Sequence, residues 1–301
     1  MNLISIFDLT HAELEGIIER GEELKKERKV LKTSNELEGK TLALIFEKPS
    51  TRTRVSFEVA MHELGGNVIS LNWNELQLGR GERVRDTAKV LSSYVDAVMI
   101  RAYRHDTVVE FANYASIPVI NGLTDFEHPC QTLADLLTIR EYKNHCAGVT
   151  LAWIGDGNNV CNSLIGGAAI TGMKMRVACP QGYEPAGRIV DHARQMGCEV
   201  LIMEYADEAA VDADVLYTDV WVSMGDEHES EKRKRDFRNY QLNEDLVKVA
   251  KEDAIIMHCM PVHVGEEITE SVLKSKNSVI FEQAENRLHA QKALLLRLLK
   301  K

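Results

Sequence analysis

Residues 41–66 read TLALIFEKPSTRTRVSFEVAMHELGG, and this stretch decides the fold. The apolar run 42–46 predicts a buried parallel strand, which Glu47-Lys48-Pro49 ends. Ser50 and Thr51 can cap a helix whose apolar positions recur at helical spacing until Gly65-Gly66 stop it. The stretch therefore predicts one strand–helix unit of a parallel α/β sheet.

The turn between this strand and helix gathers hydrogen-bond donors. It combines backbone N–H groups, the hydroxyls of Ser50 and Thr51, and the guanidinium groups of Arg52 and Arg54. A helix N-terminus favours an anion, and guanidinium forks match phosphate oxygens two at a time. The turn predicts a phosphate site, although a capped helix with solvated arginines would show the same residues.

The composition narrows the class of protein. Of the 301 residues, 45% are hydrophobic and 27% charged, which is typical of a globular protein. The net charge of −10 disfavours nucleic acid or an anionic membrane as partner. The six cysteines are scattered and form no C-x-x-C pair. The start, MNLISIFDLT, does not resemble a secretory signal. We therefore expect a cytoplasmic protein with reduced thiols.

Strand and helix patterns alternate along the whole chain, with a break at residues 143–148. This alternation predicts an α/β fold of two doubly wound parallel-sheet domains with an interdomain active-site cleft. The predicted domains are 1–145, to which a C-terminal helix 287–301 returns, and 146–286. Ligands of such sheets bind at the carboxyl ends of the strands.

The sequence makes three further local predictions. Asn121-Gly122 is predicted to turn the chain after a strand over 117–120. Residues 226–240 are strongly charged and predict a solvated helical face. Residues 278–281 predict a short strand before a final helix over 284–299.

The predicted strand ends fall into two chemically different sets. Those of the first half are rich in cations and donors: residues 50–53, Arg101 and residues 128–131. Those of the second half are acidic and amide-rich: residues 155–159, 219–225 and 258–261. The first set suits an anion and the second a positively charged group. Together they predict a transfer between two substrates.

Cofactor and metal motifs fit the sequence poorly. Gly155-x-Gly157 follows a strand, but a dinucleotide site needs a third glycine where Val160 stands and an acidic residue at the end of the next strand. Neither a phosphate-binding G-x-x-x-x-G-K-[ST] loop nor a G-x-S-x-G elbow occurs. His258 and His263 stand five apart near a strand end, which does not predict a metal site.

Four motifs together resemble the aspartate/ornithine carbamoyltransferase family. STRTR at 50–54 and HPCQ at 128–131 are typical of the whole family, whereas DVWVSMG at 219–225 and HCMP at 258–261 are typical of its ornithine branch. The resemblance covers the chain in order. Two departures are minor: Met260 stands where leucine is commoner, and Thr51 where methionine is often found.

The resemblance implies a transfer from carbamoyl phosphate to the δ-amine of L-ornithine, with no cofactor and no metal. The implied catalytic residues are Arg101, His128 and Cys259. The implied carbamoyl phosphate site adds Ser50, Thr51, Arg52, Thr53, Gln77, Pro129, Cys130, Gln131, Met260 and Arg287. The implied ornithine site comprises Asn159, Asp219, Ser223 and Met224, with Gly225 making the 223–225 loop a moving lid. The resemblance also implies a homotrimer with shared sites, in which Gln77 comes from a neighbouring subunit, and which some relatives stack into a higher assembly.

The sequence leaves other interpretations open. Asp219 could cap the next segment, His128 could be only a helix cap, Cys259 a buried thiol and Arg101 a surface arginine. The acceptor could be another amine such as putrescine, although the SMG motif argues against it. A nucleotide-binding oxidoreductase and a catalytically silent binding protein of the same fold are the remaining rivals.

Overall fold

The computed structural model describes residues 1–31, 33–222 and 227–300. The strands are β1 (Thr41–Phe46), β2 (Asn67–Asn72), β3 (Ala97–Arg101), β4 (Val119–Leu123), β5 (Thr150–Ile154), β6 (Lys174–Ala178), β7 (Val200–Met203), β8 (Val215–Thr218) and β9 (Ile255–His258). The α-helices are α1 (His11–Arg28), α2 (Thr51–Glu63), α3 (Val84–Leu91), α4 (His105–Tyr114), α5 (Pro129–Lys143), α6 (Asn159–Thr171), α7 (Gly187–Gln195), α8 (Ala206–Ala210), α9 (Ser230–Asp236), α10 (Glu244–Val249), α11 (Glu270–Leu273) and α12 (Ile280–Leu299).

The chain forms two compact units. The first comprises residues 1–137 and 285–301, and the second residues 138–284. Each unit contains a sheet whose paired strands all run parallel, with helices between consecutive strands. The predicted α/β fold of two doubly wound parallel sheets is confirmed.

The sheet of the first unit has the order β2-β1-β3-β4. β1 is one of its two central strands, and residues 42–46 are all buried, as the uninterrupted apolar run predicts. The chain passes from β1 outward to β2 and then crosses to β3 on the other side of β1. Strand order therefore reverses between β1 and β3, and Ser50 and Arg101 stand at or just beyond the carboxyl ends of these strands.

The sheet of the second unit has the order β7-β6-β5-β8-β9. Trp153 of β5 stacks on Tyr217 of β8, with ring centroids 4.9 Å apart, and both side chains are fully buried. Strand order reverses between β5 and β8. The segments beginning at Gly155 and Asp219 therefore leave the sheet at its switch point.

A buried ion-pair cluster fastens α12 to the first unit. The Glu63 carboxylate at the end of α2 lies 2.8 Å from Arg28 Nε and 3.0 Å from Lys292 Nζ. Lys292 and Glu63 are 4% exposed, so each charge needs the other in a region of low dielectric constant. The last helix is thereby held against α1 and α2.

The prediction of a turn at Asn121-Gly122 is wrong, because β4 continues through both residues to Leu123. The Asn121 side chain is fully buried and its Nδ2 donates to the carbonyl of Ile4 at 2.9 Å. Gly122 leaves room for Met99, whose Sδ would collide with a Cβ at this position. Packing inside the sheet, rather than a turn, explains why asparagine and glycine stand at these two positions.

The prediction of a solvated face over 226–240 is wrong for Arg233 of α9. Its side chain is 11% exposed, and Nη1 donates to Asp156 Oδ2 at 2.8 Å and to the carbonyl of Trp221 at 3.1 Å. Arg233 is thus largely enclosed, and its hydrogen bonds join the segment that follows β5 to the segment that follows β8.

The predicted strand over 278–281 is also wrong. Ser278 forms only an isolated bridge with Ile256, and α12 already begins at Ile280. The apolar residues there are those of a helix start. None of the described helices has the length and apolar character needed to cross a membrane.

Candidate active site

The N-terminus of α2 is capped as the sequence predicts. Ser50 has an extended backbone, and its Oγ accepts a hydrogen bond from the N–H of Thr53 at 3.2 Å. Thr51 and Arg52 are exposed at this end of the helix, and the Arg54 guanidinium lies over the Phe46 ring, 5.0 Å from its centroid. The cap and the anion-attracting groups therefore coexist in one turn.

The Thr53 hydroxyl lies between two arginines. It accepts from Arg287 Nη2 at 2.9 Å and from Arg101 Nη1 at 3.4 Å. Both arginines are more than 90% buried, so Arg101 is not the surface residue that the alternative interpretation described. A hydroxyl that accepts two hydrogen bonds keeps its hydrogen for a third partner, such as a substrate oxygen.

His128 lies beside the same two cations. Its side chain is 3% exposed, and burial, followed by the charges of Arg287 and Arg101, lowers the pKa of His128 well below its ordinary value. The imidazole is therefore neutral near pH 7. It can donate a hydrogen bond without carrying a charge.

The first turn of α5 supplies three further predicted residues. Pro129 is its first residue, and Gln131 accepts from Arg287 Nη1 at 3.2 Å through Oε1. The Cys130 thiol donates to the carbonyl of Asn121, and burial raises the pKa of Cys130 to about 12. That thiol stays protonated and is unsuited to act as a nucleophile.

Gln77 is exposed, unlike the buried residues of this cluster. It begins a short 3₁₀ helix over Gln77–Arg80. The adjacent Leu78 is buried and anchors the segment.

In the second unit, Asp219 follows β8 with its carboxylate held at both oxygens. Oδ2 accepts from Asn158 Nδ2 at 2.7 Å, and Oδ1 accepts from the N–H of Val220 at 2.8 Å. Asn158 is the N-cap of α6, which Asn159 begins. Asn158 thus fixes the orientation of the Asp219 carboxylate, and Asp219 is only 6% exposed.

The segment after β9 carries Cys259 and Met260. Met260 has a left-handed backbone, with φ at 61°, and a cis peptide bond joins it to Pro261. Its N–H donates to His258 Nδ1 at 2.8 Å, so Nε2 bears the imidazole proton and donates to Glu267 Oε1 at 3.0 Å. His258 therefore fixes the backbone of this loop at Met260 and is itself held by Glu267.

One ligand-type atom from each of Asp219, His258 and Cys259 lies within 4.8 Å of the others. This spacing would suit a metal ion, but both nitrogens of His258 are already hydrogen-bonded, to Met260 and Glu267. The cluster suits a role in positioning better than ligation.

The structure gathers five predicted residues of the first unit into one cluster: Thr53, Arg101, His128, Gln131 and Arg287. In the second unit it brings Asp219 and Cys259 together. Ser223, Met224 and Gly225 lie outside the described residues, so their predicted roles remain predictions.

Two residues of these clusters were not predicted. Asp135 accepts from Gln131 Nε2 at 2.9 Å, and its spacing four residues after Gln131 places both on one face of α5. Asn158 holds Asp219, and its position directly before a helix is that of an N-cap. The helical spacing of Asp135 and the N-cap position of Asn158 can both be recognised in the sequence.

Two family models match the chain. Residues 1–141 match the model described as "Aspartate/ornithine carbamoyltransferase, carbamoyl-P binding domain", and residues 147–298 match "Aspartate/ornithine carbamoyltransferase, Asp/Orn binding domain". A curated relative from Archaeoglobus fulgidus, named Ornithine carbamoyltransferase, is 55% identical over 300 residues, which cover 100% of this chain and 98% of the relative.

Solved structures show the same similarity. The ornithine carbamoyltransferase from Pyrococcus furiosus is 51% identical with a TM-score of 0.95, over 99% of this chain and 96% of that chain. The ornithine carbamoyltransferase from Thermus thermophilus is 44% identical with a TM-score of 0.91, over 99% of both chains.

Proposed function

We propose that this chain, which belongs to the aspartate/ornithine carbamoyltransferase family, transfers the carbamoyl group of carbamoyl phosphate to the δ-amine of L-ornithine. The products are L-citrulline and phosphate, a reaction consistent with arginine biosynthesis. The observation that carries the proposal is the full-length similarity, at 55% identity, to a relative named Ornithine carbamoyltransferase. The buried cluster around Thr53 supplies a matching chemistry.

The phosphate of carbamoyl phosphate binds at the N-terminus of α2. Ser50, Thr51, Arg52 and Thr53 form this turn, whose backbone N–H groups and exposed guanidinium suit a dianion. Pro129 and Cys130, in the first turn of α5, contribute to the same substrate site through their backbones. The thiol of Cys130 is turned toward Asn121 and is not needed for this role.

The carbonyl oxygen of the carbamoyl group faces a set of buried donors. Attack by an amine places negative charge on this oxygen, and Thr53, Arg101 and His128 are the groups that stabilise it. A donor of this kind lowers the barrier of a reaction by about 2.7–4 kcal/mol. Gln131 binds the carbamoyl amide, and Arg287 orients Gln131 and Thr53.

Ornithine binds to the residues of the second unit. Its α-ammonium pairs with Asp219, which is the buried carboxylate held by Asn158. Asn159, Ser223 and Met224 bind its carboxylate and backbone, and the thiol of Cys259 lies beside the incoming amine. The substrate's own amine is the nucleophile, so the transfer needs neither an enzyme nucleophile nor a cofactor.

This assignment divides the chain by ligand. Residues 1–145 and the helix 287–301 bind carbamoyl phosphate, and residues 146–286 bind ornithine. The six cysteines are all free thiols, which supports a cytoplasmic location.

The direct test is a balance of products. Incubation with carbamoyl phosphate and L-ornithine should release citrulline and phosphate in equal amounts, each measured separately. Phosphate release without citrulline would contradict the proposal.

We extend the proposal to a homotrimer that shares its active sites through Gln77. The exposed side chains of Gln77, Val55 and Ile69 support it, since Ile69 lies on the edge strand β2 and is 47% exposed. Arg52→Ala and Gln77→Ala should each have strongly reduced activity at low carbamoyl phosphate when expressed alone. Coexpressed, they should regain activity, because a mixed trimer contains one site with both native residues; no recovery would contradict sharing.

A further inference from the structure

The Gln131 side chain is held by two partners of opposite character. Its Oε1 accepts from Arg287 Nη1 at 3.2 Å, and its Nε2 donates to Asp135 Oδ1 at 2.9 Å. A guanidinium can only donate and a carboxylate can only accept. Turning the amide by 180° would therefore oppose donor to donor and acceptor to acceptor.

This arrangement is shielded from water. Gln131 is 1% exposed, Arg287 4% and Asp135 0%. A reversed amide could not replace its lost partners with water, and an unsatisfied buried polar group is strongly unfavourable. Asp135 and Arg287 together thus select one orientation of Gln131.

The selected orientation has a chemical consequence. Arg287 also donates to Thr53, so the side of Gln131 that faces Arg287 is the side of the donor-substrate cluster. The amide oxygen has two lone pairs, of which Arg287 uses one. The second can accept a hydrogen bond from an NH₂ group, which a carbamoyl phosphate has and an acetyl phosphate lacks.

We propose that Asp135 is a positioning residue that fixes the Gln131 amide with its oxygen toward the substrate, and thereby selects an acyl phosphate that carries an N–H donor. The inference rests on the proposed function, since it assigns the selectivity of the same site. Asp135 itself does not touch the substrate.

Two plainer roles for Asp135 make different predictions. A glutamine–aspartate pair four residues apart stabilises a helix, and such a role would affect unfolding alone. A buried negative charge near the substrate cluster would weaken the binding of two acyl phosphates of the same charge equally. Only the orienting role changes the ratio of affinities for two acyl phosphates of the same charge.

The test is calorimetry with carbamoyl phosphate, acetyl phosphate and inorganic phosphate on the full chain. In Asp135→Asn, the new amide can present either its oxygen or its NH₂, so Arg287 alone still opposes the reversed Gln131 and the selection is weakened. The preference for carbamoyl over acetyl phosphate should fall about fivefold to tenfold, the size of one hydrogen bond.

A swapped pair is the matched control, made by combining Gln131→Glu with Asp135→Asn. The carboxylate introduced at position 131 has only acceptor oxygens, and the amide introduced at position 135 donates to it, so an oxygen faces the substrate again. The preference should return to within about twofold of the unaltered protein, because the hydrogen bond to the substrate is restored. If Asp135→Asn does not fold, Gln131→Met, which has no amide, takes its place as the variant that loses the preference.

The outcomes separate clearly. An unchanged preference in Asp135→Asn, even with tighter phosphate binding, overturns the inference and leaves the proposed function standing. A preference that the swapped pair fails to restore also overturns it. An unaltered protein that binds carbamoyl phosphate no better than inorganic phosphate overturns the proposed function and this inference with it.

Discussion

The Thr53 hydroxyl accepts a hydrogen bond from Arg287 Nη2 at 2.9 Å, although 234 positions separate the two residues along the chain. Thr53 lies in the first turn of α2 and Arg287 on the last helix, which Glu63 and Lys292 fasten to the first unit. The anion-attracting turn is therefore completed by the far end of the chain. Loss of the last helix would remove a donor from the site.

Arg52→Ala should weaken the binding of carbamoyl phosphate about tenfold to hundredfold, because a phosphate dianion would lose charge-assisted hydrogen bonds. Calorimetry measures the change. Arg104→Ala is the matched control, since Arg104 is an exposed arginine at the N-terminus of α4 in the same unit. Equal affinities of the Arg52→Ala variant and the unaltered protein would contradict the phosphate site.

Asp219→Asn should lower kcat/KM for ornithine about tenfold to hundredfold while the affinity for carbamoyl phosphate changes less than about twofold. The α-ammonium loses its carboxylate, and the new amide must also face the NH₂ of Asn158. Asp191→Asn, an exposed change on α7, is the control. Equal losses for both substrates would count against separate binding residues for donor and acceptor.

The rate should rise with pH as the free amine of ornithine forms. An ordinary amine has a pKa near 10.4, so kcat/KM for ornithine should increase about tenfold per unit from pH 6 to 8. His128 does not oppose this rise, because its lowered pKa keeps it neutral over that range. Steady-state kinetics at saturating carbamoyl phosphate measure the profile, and a flat one from pH 6 to 9 would contradict attack by the free amine.

The free energy of unfolding should fall as the pH drops below about 6.5, in part because of His289. Burial lowers the pKa of His289 to about 4, with Lys25 and Lys292 adding to the shift and Glu285 opposing it. The folded protein keeps this imidazole neutral while the unfolded chain takes up a proton, so stability is lost from about pH 6.5 toward about 4.

Urea unfolding at pH 7 and pH 5 measures this loss. His289→Gln should make the decline between the two pH values smaller by about 2 kcal/mol. His62→Gln, a change of an exposed histidine on α2, is the control. A decline as steep in His289→Gln as in the unaltered protein would contradict the assignment.

Much of the fold was predictable because the central strands are apolar on both faces and the helix caps are local. Residues 42–46 and the cap at Ser50 follow from a few neighbouring side chains. The prediction failed where packing overrides local chemistry. Asn121-Gly122 resembles a turn, yet Met99 needs the space beside Gly122, and the amide of the buried Asn121 donates to the carbonyl of Ile4.

The site shows the same division. The anion-binding turn is a local motif, whereas the low exposure of Arg233 depends on Asp156 and Trp221, which lie 77 and 12 positions away along the chain. Charge patterning cannot identify which arginine of a charged run will be enclosed. The orienting partner of Gln131 was within reach of the sequence, since Asp135 follows it by one helical turn.

The transfer of a carbamoyl group to ornithine is tested most directly by kcat/KM for three acceptors, measured in parallel with carbamoyl phosphate as donor. L-ornithine has the α-ammonium and carboxylate that Asp219 and Asn159 are proposed to bind, putrescine lacks the carboxylate, and L-aspartate lacks the second amine. We predict rapid formation of citrulline from ornithine and rates at least about a hundredfold lower with the other two amines, since each lacks a charged or reacting group. Equal or faster turnover with putrescine or aspartate would contradict it.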